Sequence, residues 1–268
     1  MTGPDPAAFD AAARSEALAA ALTTLLPARP RLLDIAPGSL GLFRWLAPRL
    51  ARPQAWSFVA EDTDALDEAL VVTARWAERR GWTATFPARA MLLHTPQGAW
   101  RITGLLGDAL DRLARTDADA IVSTGPLPSA AHLATEIARL GVPLLATLIP
   151  DGRGRWRPGH PADAAVLGAS RRAAGVSARL PRLLAAEGLL VRTAPTDWRV
   201  GAGALTMLDA LVAETAEAAL GARPGTGVRI AAWRAARRRQ ALVGRLAITV
   251  GHRDILAFPA SLAIPGGR

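Results

Sequence analysis

The amino-acid sequence predicts an α/β protein with a Rossmann-like, doubly wound sheet of seven strands, in which a helical insertion precedes the last strand. Three observations lead to this fold class. Short apolar runs bounded by turn residues alternate with longer helical patterns. Acidic residues follow the first three predicted strands, and residues 245–259 have the β-rich character of a closing strand.

The succession of predicted elements favours βαβ units and therefore a parallel sheet. The predicted strands are residues 31–36, 56–61, 119–124, 142–150, 189–195 and 245–259. A hairpin is predicted over residues 90–106, where two apolar runs flank Pro96-Gln97-Gly98 and the second arm leads into the sheet. The predicted helices are residues 7–26, 42–50, 64–80, 107–115, 129–141, 177–188, 202–221 and 228–242.

Length and composition fit either one large domain or one domain with an inserted lid, because 268 residues that are 50% hydrophobic are enough for a substantial core. The sequence has no cysteine, which excludes disulfides, thiolate metal sites and a cysteine nucleophile. No uncharged apolar run is long enough to span a membrane, and no basic segment precedes an apolar run at the N-terminus. We therefore expect a cytoplasmic protein without a membrane partner.

The positive charge is carried by arginine alone: all 32 basic residues are arginines, and the net charge is +9. Such a charge permits nucleic-acid binding. The arginines are spread along the chain, however, with one tight cluster at Arg237, Arg238 and Arg239. We interpret them as a solvated basic surface and keep nucleic acid as a less favoured partner.

Acidic residues at the strand ends form the most informative pattern. Asp34 closes the first strand and precedes a turn with Gly38 and Gly41. Glu61 ends the second strand, and Asp108 follows the third. Glycine lets a backbone approach a ligand, and an ionised carboxylate accepts two hydrogen bonds from ribose hydroxyls. Ligands of doubly wound sheets bind at this edge.

This order of motifs resembles class I S-adenosylmethionine-dependent methyltransferases over residues 30–259. The resemblance implies a methyltransferase-like domain over that range, in which residues 151–242 form acceptor-side loop and lid segments, with an N-terminal helix in residues 1–29 and a tail in residues 260–268. With the βαβ pattern, it also implies that the last of the seven strands, residues 245–259, is antiparallel. It implies S-adenosylmethionine as the cofactor, held by Asp34, Ala36, Gly38, Gly41, Glu61, Asp62, Asp108, Ala109 and Ser123.

The turn departs from the family at Ala36 and Leu40, where the family's glycine motif usually has glycines. Two interpretations stay open. Gly41, one place later, takes over the role of the missing glycine, and the site binds cofactor. Alternatively, Leu40 fills the pocket for the methionine end, and the site is a relic.

Two residues are candidates for a general base, His160 and Asp197, which lie in segments that border the expected acceptor pocket. Trp156 and Trp198 lie in predicted loops and are candidates for an aromatic wall. His132 is interpreted as structural on an apolar helix face. The histidine spacing indicates no metal site.

Three functions follow from these patterns. The first is methyl transfer from S-adenosylmethionine to a small-molecule acceptor. The second is a catalytically degenerate methyltransferase-like scaffold. The third, less favoured, is a nucleic-acid methyltransferase, to which Arg153, Arg155 and Arg157 would contribute. A nicotinamide-binding enzyme is weaker still, because the turn lacks GxGxxG.

Overall fold

The computed structural model describes residues 6–36, 38, 40–60, 62–87, 90–125, 129–148, 153–173 and 179–263, with the backbone alone for Ala65, Leu148 and residues 169–173. The chain divides into two compact units. The large unit comprises Ser15–Leu148, Arg179–Ala194 and Asp254–Arg268. The small unit comprises Met1–Arg14, Ile149–Ala178 and Pro195–Arg253.

Helices and strands alternate through most of the described residues. The helices are α1 (Pro6–Ala13), α2 (Glu16–Leu25), α3 (Gly41–Leu50), α4 (Thr63–Glu78), α5 (Ala109–Ala114), α6 (Ala130–Leu140), α7 (Asp163–Ala173), α8 (Leu180–Ala186), α9 (Leu205–Ala222) and α10 (Gly227–Leu242). The strands are β1 (Arg31–Asp34), β2 (Gln54–Ala60), β3 (Thr83–Thr85), β4 (Ala90–Thr95), β5 (Gly98–Leu106), β6 (Ala120–Thr124), β7 (Leu144–Leu148), β8 (Gly154–Arg157), β9 (Leu190–Pro195), β10 (Trp198–Val200), β11 (Ala247–Val250) and β12 (Arg253–Phe258).

The large unit is organised around a mixed sheet with the strand order β3-β4-β5-β2-β1-β6-β7-β12-β9. Its centre, β5-β2-β1-β6-β7, is parallel throughout. In chain order these are the third, second, first, fourth and fifth parallel strands, the arrangement of a doubly wound fold. The α/β, Rossmann-like fold class is therefore confirmed.

The predicted number of strands is wrong, because the described part of this sheet has nine strands rather than seven. The first arm of the predicted hairpin, β4, pairs antiparallel with β5 and extends the sheet beyond it. The three-residue strand β3 then adds at the outer edge. Both additions lie on one side of the doubly wound centre and leave the order of its parallel strands unchanged.

The closing segment, residues 245–259, is two strands and not one. Its first part is β11 of the small unit, and its second part is β12 of the nine-stranded sheet. Gly251 and His252 separate the two strands. The direction of β12 in the sheet stays a prediction.

Successive residues of the central strands face two separate cores, as expected for a sheet covered on both sides. Leu32 is buried with the aromatic cluster of Phe43, Trp56 and Phe58, to which α2, α3 and α4 also contribute. Leu33 is buried in the other core, with residues of α6 and α8. Asp34, two residues after Leu32, therefore points to the face covered by α3.

The N-terminal helix predicted over residues 7–26 is broken into α1 and α2. Ser15 has an extended backbone, and its side chain accepts a hydrogen bond from the Leu18 amide (3.2 Å). Serine at such a position caps a new helix, which explains the break.

The small unit has its own sheet, with the order β10-β11-β8 and antiparallel pairing throughout. Trp156, Val200 and Ile248 project from one face of this sheet into a core shared with α9 and α10. The interpretation of Arg237 as part of a solvated cluster is wrong, because its side chain is fully buried in this unit. It donates to the carboxylate of Asp163, and the Trp156 and Trp233 rings flank it.

Candidate functional site at the carboxyl edge of the sheet

The central parallel strands end at one edge of the large unit. β1 ends at Asp34, β2 at Ala60, β5 at Leu106 and β6 at Thr124. β2 and β6 lie on opposite sides of β1, so the order of strands reverses there. In sheets of this kind the crevice outside the carboxyl ends at the reversal holds the ligand.

The turn after β1 is held by the buried carboxylate that ends the strand. Asp34 has no solvent exposure, and its Oδ1 accepts a hydrogen bond from the Ala36 amide (3.1 Å). Gly38 follows with a φ of +48°, a left-handed conformation that favours glycine. Apart from its two chain neighbours, no described residue has an atom within 4 Å of where a Cβ on Gly38 would sit, so the turn is open on that side.

Leu40 occupies the left-handed region without being glycine. Its φ is 58° and its ψ is 27°, and it immediately precedes the first residue of α3, Gly41. Its side chain is fully buried in the core beside α3. A left-handed L-residue costs roughly 1–2 kcal/mol, which the burial of the leucine side chain offsets. In this structure the Leu40 side chain therefore packs in the core.

The start of α3 differs from the starts of the helices after the neighbouring parallel strands. Asp62 caps α4, Asp108 caps α5 and Ser129 caps α6, each through its side chain. The N-cap residue of α3, Leu40, makes no side-chain cap hydrogen bond. The first amides of a helix have no partner within the helix, and they favour a negatively charged group. Among the described helices that follow the parallel strands β1, β2, β5 and β6, α3 is therefore the one whose N-cap residue provides no side-chain cap.

The two aspartates that cap α4 and α5 keep one oxygen available. Asp62 Oδ1 accepts from the Asp64 amide (2.9 Å), and Asp108 Oδ1 accepts from the amides of Leu110 (2.8 Å) and Asp111 (3.1 Å). Both residues are exposed. A carboxylate has two accepting oxygens, so capping is compatible with binding a ligand hydroxyl or amine.

The predicted site residues are brought together only in part. Asp34, Ala36, Gly38 and Gly41 share the turn after β1, and Asp62, Asp108 and Ala109 follow β2 and β5 at the same edge. Glu61 lies outside the described residues. Ser123 is buried but follows Val122, the register partner of Asp34, so its side chain points to the opposite face of the sheet. The roles of all these residues stay predictions.

A buried carboxylate that the sequence analysis missed lies on β12. Asp254 Oδ1 accepts from the Thr147 hydroxyl of β7 (2.6 Å), and its Oδ2 accepts from the Ser15 amide (2.8 Å). Asp254 thus links two strands to the start of α2. Its signal in the sequence is an acid followed at once by the apolar run ILAF.

His160, in the small unit, has a structural role at the start of α7. Its backbone amide donates to Asp163 (2.9 Å), and its Nδ1 accepts from the Ala162 amide (3.1 Å). An accepting Nδ1 leaves the proton of a neutral ring on Nε2. To act as a general base through Nδ1, the ring would have to give up the Ala162 hydrogen bond.

The carboxylate of Asp197 also accepts hydrogen bonds from other groups of the protein. Its Oδ1 accepts from Arg153 Nη2 (2.8 Å) and from the His252 amide (3.3 Å). An open groove of about 440 Å³ lies beside it, lined by Phe9, Ala12, Ala13 and residues 195–199. The general-base roles of His160 and Asp197 stay predictions.

The aromatic and histidine candidates are placed differently from what the sequence indicates. Trp156 is 7% exposed and packs against Trp233, so it forms no open wall, and Trp198 is 8% exposed at the groove. His132 is exposed rather than buried in an apolar face. Within the described ranges no three histidine, cysteine or acidic residues cluster as metal ligands. None of the described helices combines the length and apolar character of a membrane span.

Solved structures of other proteins resemble this chain, but comparisons of its sequence find no match. No protein-family profile matches the chain, and no curated protein matches it. A SAM-dependent methyltransferase from Thiobacillus denitrificans, solved with S-adenosyl-L-homocysteine, is similar at 18% identity and a TM-score of 0.44, over 96% of this chain and 99% of that chain. YjhP from E. coli is similar at 15% identity and a TM-score of 0.47, over 92% and 93%. The cyclopropane synthase MmaA2 from Mycobacterium tuberculosis is similar at 14% identity and a TM-score of 0.45, over 90% and 82%.

Proposed function

We propose that the chain binds S-adenosylmethionine at the carboxyl edge of β1, β2 and β5 and transfers its methyl group to a small-molecule acceptor. The observation that carries this proposal is the start of α3. Its N-cap residue, Leu40, provides no side-chain cap among the described residues, whereas Asp62, Asp108 and Ser129 cap the helices after the neighbouring strands. A ligand carboxylate at this helix start would accept hydrogen bonds from the first-turn amides.

The residues present fit the parts of this cofactor. The open, left-handed Gly38 lets the turn accommodate the methionine end, and Asp34 holds the turn through the Ala36 amide. We assign the ribose hydroxyls to Glu61 with Asp62, and the adenine amino group to Asp108. The oxygens of Asp62 and Asp108 that do not cap helices are the acceptors in this arrangement.

When bound, the cofactor supplies an electrophilic methyl group on a sulfonium sulfur. The chain's residues then have to bind, orient and align the acceptor, because in-line alignment alone lowers the barrier of a bimolecular transfer by several kcal/mol. His160 and Asp197 are already hydrogen-bonded to other groups of the protein. We therefore propose a transfer that depends on alignment, with the acceptor's proton released to solvent.

One observation favours the second candidate function, a degenerate binding protein. Leu40 occupies a position where the family's motif usually has a glycine, and its side chain is buried in the core. The turn therefore has no glycine there to approach a cofactor closely. If the turn does not bind the carboxylate of the cofactor's methionine end, the protein binds no cofactor and acts as a scaffold.

The test is a pair of matched substitutions, both of which remove one negative charge. Calorimetric titration with S-adenosylhomocysteine compares Glu61→Ala with Glu68→Ala, an exposed position on α4. Loss of a charge-assisted hydrogen bond at Glu61 costs roughly 1.5–3 kcal/mol, or about 10- to 150-fold in affinity. Glu68→Ala should leave the affinity within about twofold of wild type. Equal affinities in all three proteins, or no binding by wild type, would refute the proposal.

A further inference from the structure

The three-stranded sheet of the small unit has one apolar face and one basic face. Trp156, Val200 and Ile248 project into the core, and the residues between them project outward. The outward residues are Arg155 and Arg157 on β8, Ala247 and Thr249 on β11, and Arg199 on β10. We call this set the arginine face.

The strand register aligns the arginine face in two rows. Arg155 pairs with Thr249, and Thr249 pairs with Arg199, so two exposed arginines flank one hydroxyl. Neighbouring strands are roughly 4.8 Å apart, so both guanidinium groups can reach an anion above Thr249. Arg157, paired with Ala247, lies in the next row, about 7 Å farther along the strand.

The arginines of this face have no acidic partner among the described residues. Arg155, Arg157 and Arg199 are all exposed, and none of them belongs to an ion pair among the described residues. Several exposed arginines elsewhere are paired, such as Arg49 with Glu16 and Arg238 with Asp209. Neither β8, β10 nor β11 contains an acidic residue. The face therefore carries an uncompensated positive charge.

We propose that the arginine face binds the phosphate backbone of a nucleic acid, independently of methyl transfer. Guanidinium groups bind phosphate in a bidentate manner, and the two rows offer contacts to successive phosphates of one strand. Only Ala247 and Thr249 lie between the arginines, so the face offers a lipid bilayer no large apolar side chain to insert. It also has no aromatic side chain for base stacking, so the binding is independent of sequence and sensitive to salt.

The experiment uses the full chain and a fluorescein-labelled, single-stranded 20-mer RNA, with binding followed by fluorescence anisotropy over a salt series. The test variant is Arg155→Gln/Arg157→Gln/Arg199→Gln. The control variant is Arg29→Gln/Arg101→Gln/Arg115→Gln, which removes the same charge at exposed positions of the large unit. Each phosphate contact contributes about −0.7 to the slope of log K against log salt. The test variant should lower the magnitude of that slope by about 2 and weaken binding at least tenfold, and the control should change the slope by less than one contact.

Two results would overturn the proposal. One is no salt-dependent RNA binding by wild type, and the other is an equal loss in the test and control variants. Binding of anionic phosphatidylserine vesicles that depends on the three arginines, without RNA binding, would also overturn it and assign the face to a membrane surface. Circular dichroism of both variants confirms that they are folded before binding is compared.

Discussion

Arg237 Nη2 lies 2.5 Å from both carboxylate oxygens of Asp163, and the arginine side chain has no solvent exposure. Arg237 Nη1 also donates to the Pro158 carbonyl (2.6 Å) and to Gln240 (2.7 Å). Trp233 Nε1 donates to the same carboxylate at 2.8 Å. This network joins Pro158, the residue after β8, to α7 and α10, so we expect the stability of the small unit to depend on it.

The first prediction concerns the loss of Arg237. Arg237→Met leaves the Asp163 carboxylate largely buried without its cation, and the loss of one partner of a buried pair costs about 3–5 kcal/mol. Arg238→Met is the matched control, because Arg238 pairs with Asp209 in an exposed bridge worth less than about 1 kcal/mol. Unfolding in urea measures the loss of unfolding free energy in both variants. Equal losses in the two variants would contradict this account.

The second prediction is a pH dependence of stability that comes from Asp163. Burial raises the pKa of this carboxyl, but hydrogen bonds from Arg237, Trp233 and the His160 amide outweigh it, so the pKa lies below the ordinary value of 3.8. A lowered pKa means that the carboxylate stabilises the folded state above pH 3.8 and that this contribution is lost as the pH falls toward the lowered value.

Asp163→Asn should therefore be less stable than wild type at pH 7, and the difference should shrink as the pH falls below about 4. Unfolding of both proteins in urea between neutral pH and pH 3 gives the difference at each pH. If the difference in unfolding free energy between wild type and Asp163→Asn grew on acidification, the predicted direction of the pH dependence would be wrong.

The third prediction compares two substitutions of Leu40. Leu40→Ala removes a fully buried side chain and should cost about 2–5 kcal/mol. Leu40→Gly removes the same contacts but relieves the left-handed backbone, so it should be more stable than Leu40→Ala by about 1 kcal/mol. Thermal unfolding ranks the variants. If the alanine variant is the more stable of the two, the left-handed conformation is not present in solution.

The fourth prediction concerns the other end of α3. Ala51 is its C-cap, with a φ of 50° and an exposed side chain. Glycine is favoured in this conformation, so Ala51→Gly should raise the free energy of unfolding by about 1 kcal/mol. Ala235→Gly, at an exposed position inside α10, should lower it by about the same amount. If both substitutions changed the free energy of unfolding in the same direction, the left-handed conformation of Ala51 would not explain the effect.

The centre of the fold is predictable from the sequence because its strands are buried apolar runs between turn residues. The runs at 31–36 and 119–124 become β1 and β6. β8 was missed because its four residues, GRWR, lie among glycines and prolines that are typical of a loop. The three-residue strands β3 and β10 are too short for alternation to be recognised.

The order of acids at the carboxyl edge is also readable from the sequence, because each acid follows an apolar run. The conformation of Leu40 is not, since leucine rarely adopts a positive φ and the surrounding packing imposes it. The burial of Arg237 was missed for a similar reason. An arginine in the run Arg-Arg-Arg is usually solvated, and only the distant Asp163 compensates its charge in the core.

The central claim, that the start of α3 receives the cofactor, is tested most directly by hydrogen–deuterium exchange with and without S-adenosylhomocysteine. A ligand carboxylate at this helix start would protect the amides of Gly41, Leu42 and Phe43, which the helix itself leaves without partners. We predict slower exchange in peptides covering residues 34–44, with α9 and α10 unchanged. Unchanged exchange over residues 34–44 at saturating ligand, or protection confined to other segments, would contradict the claim.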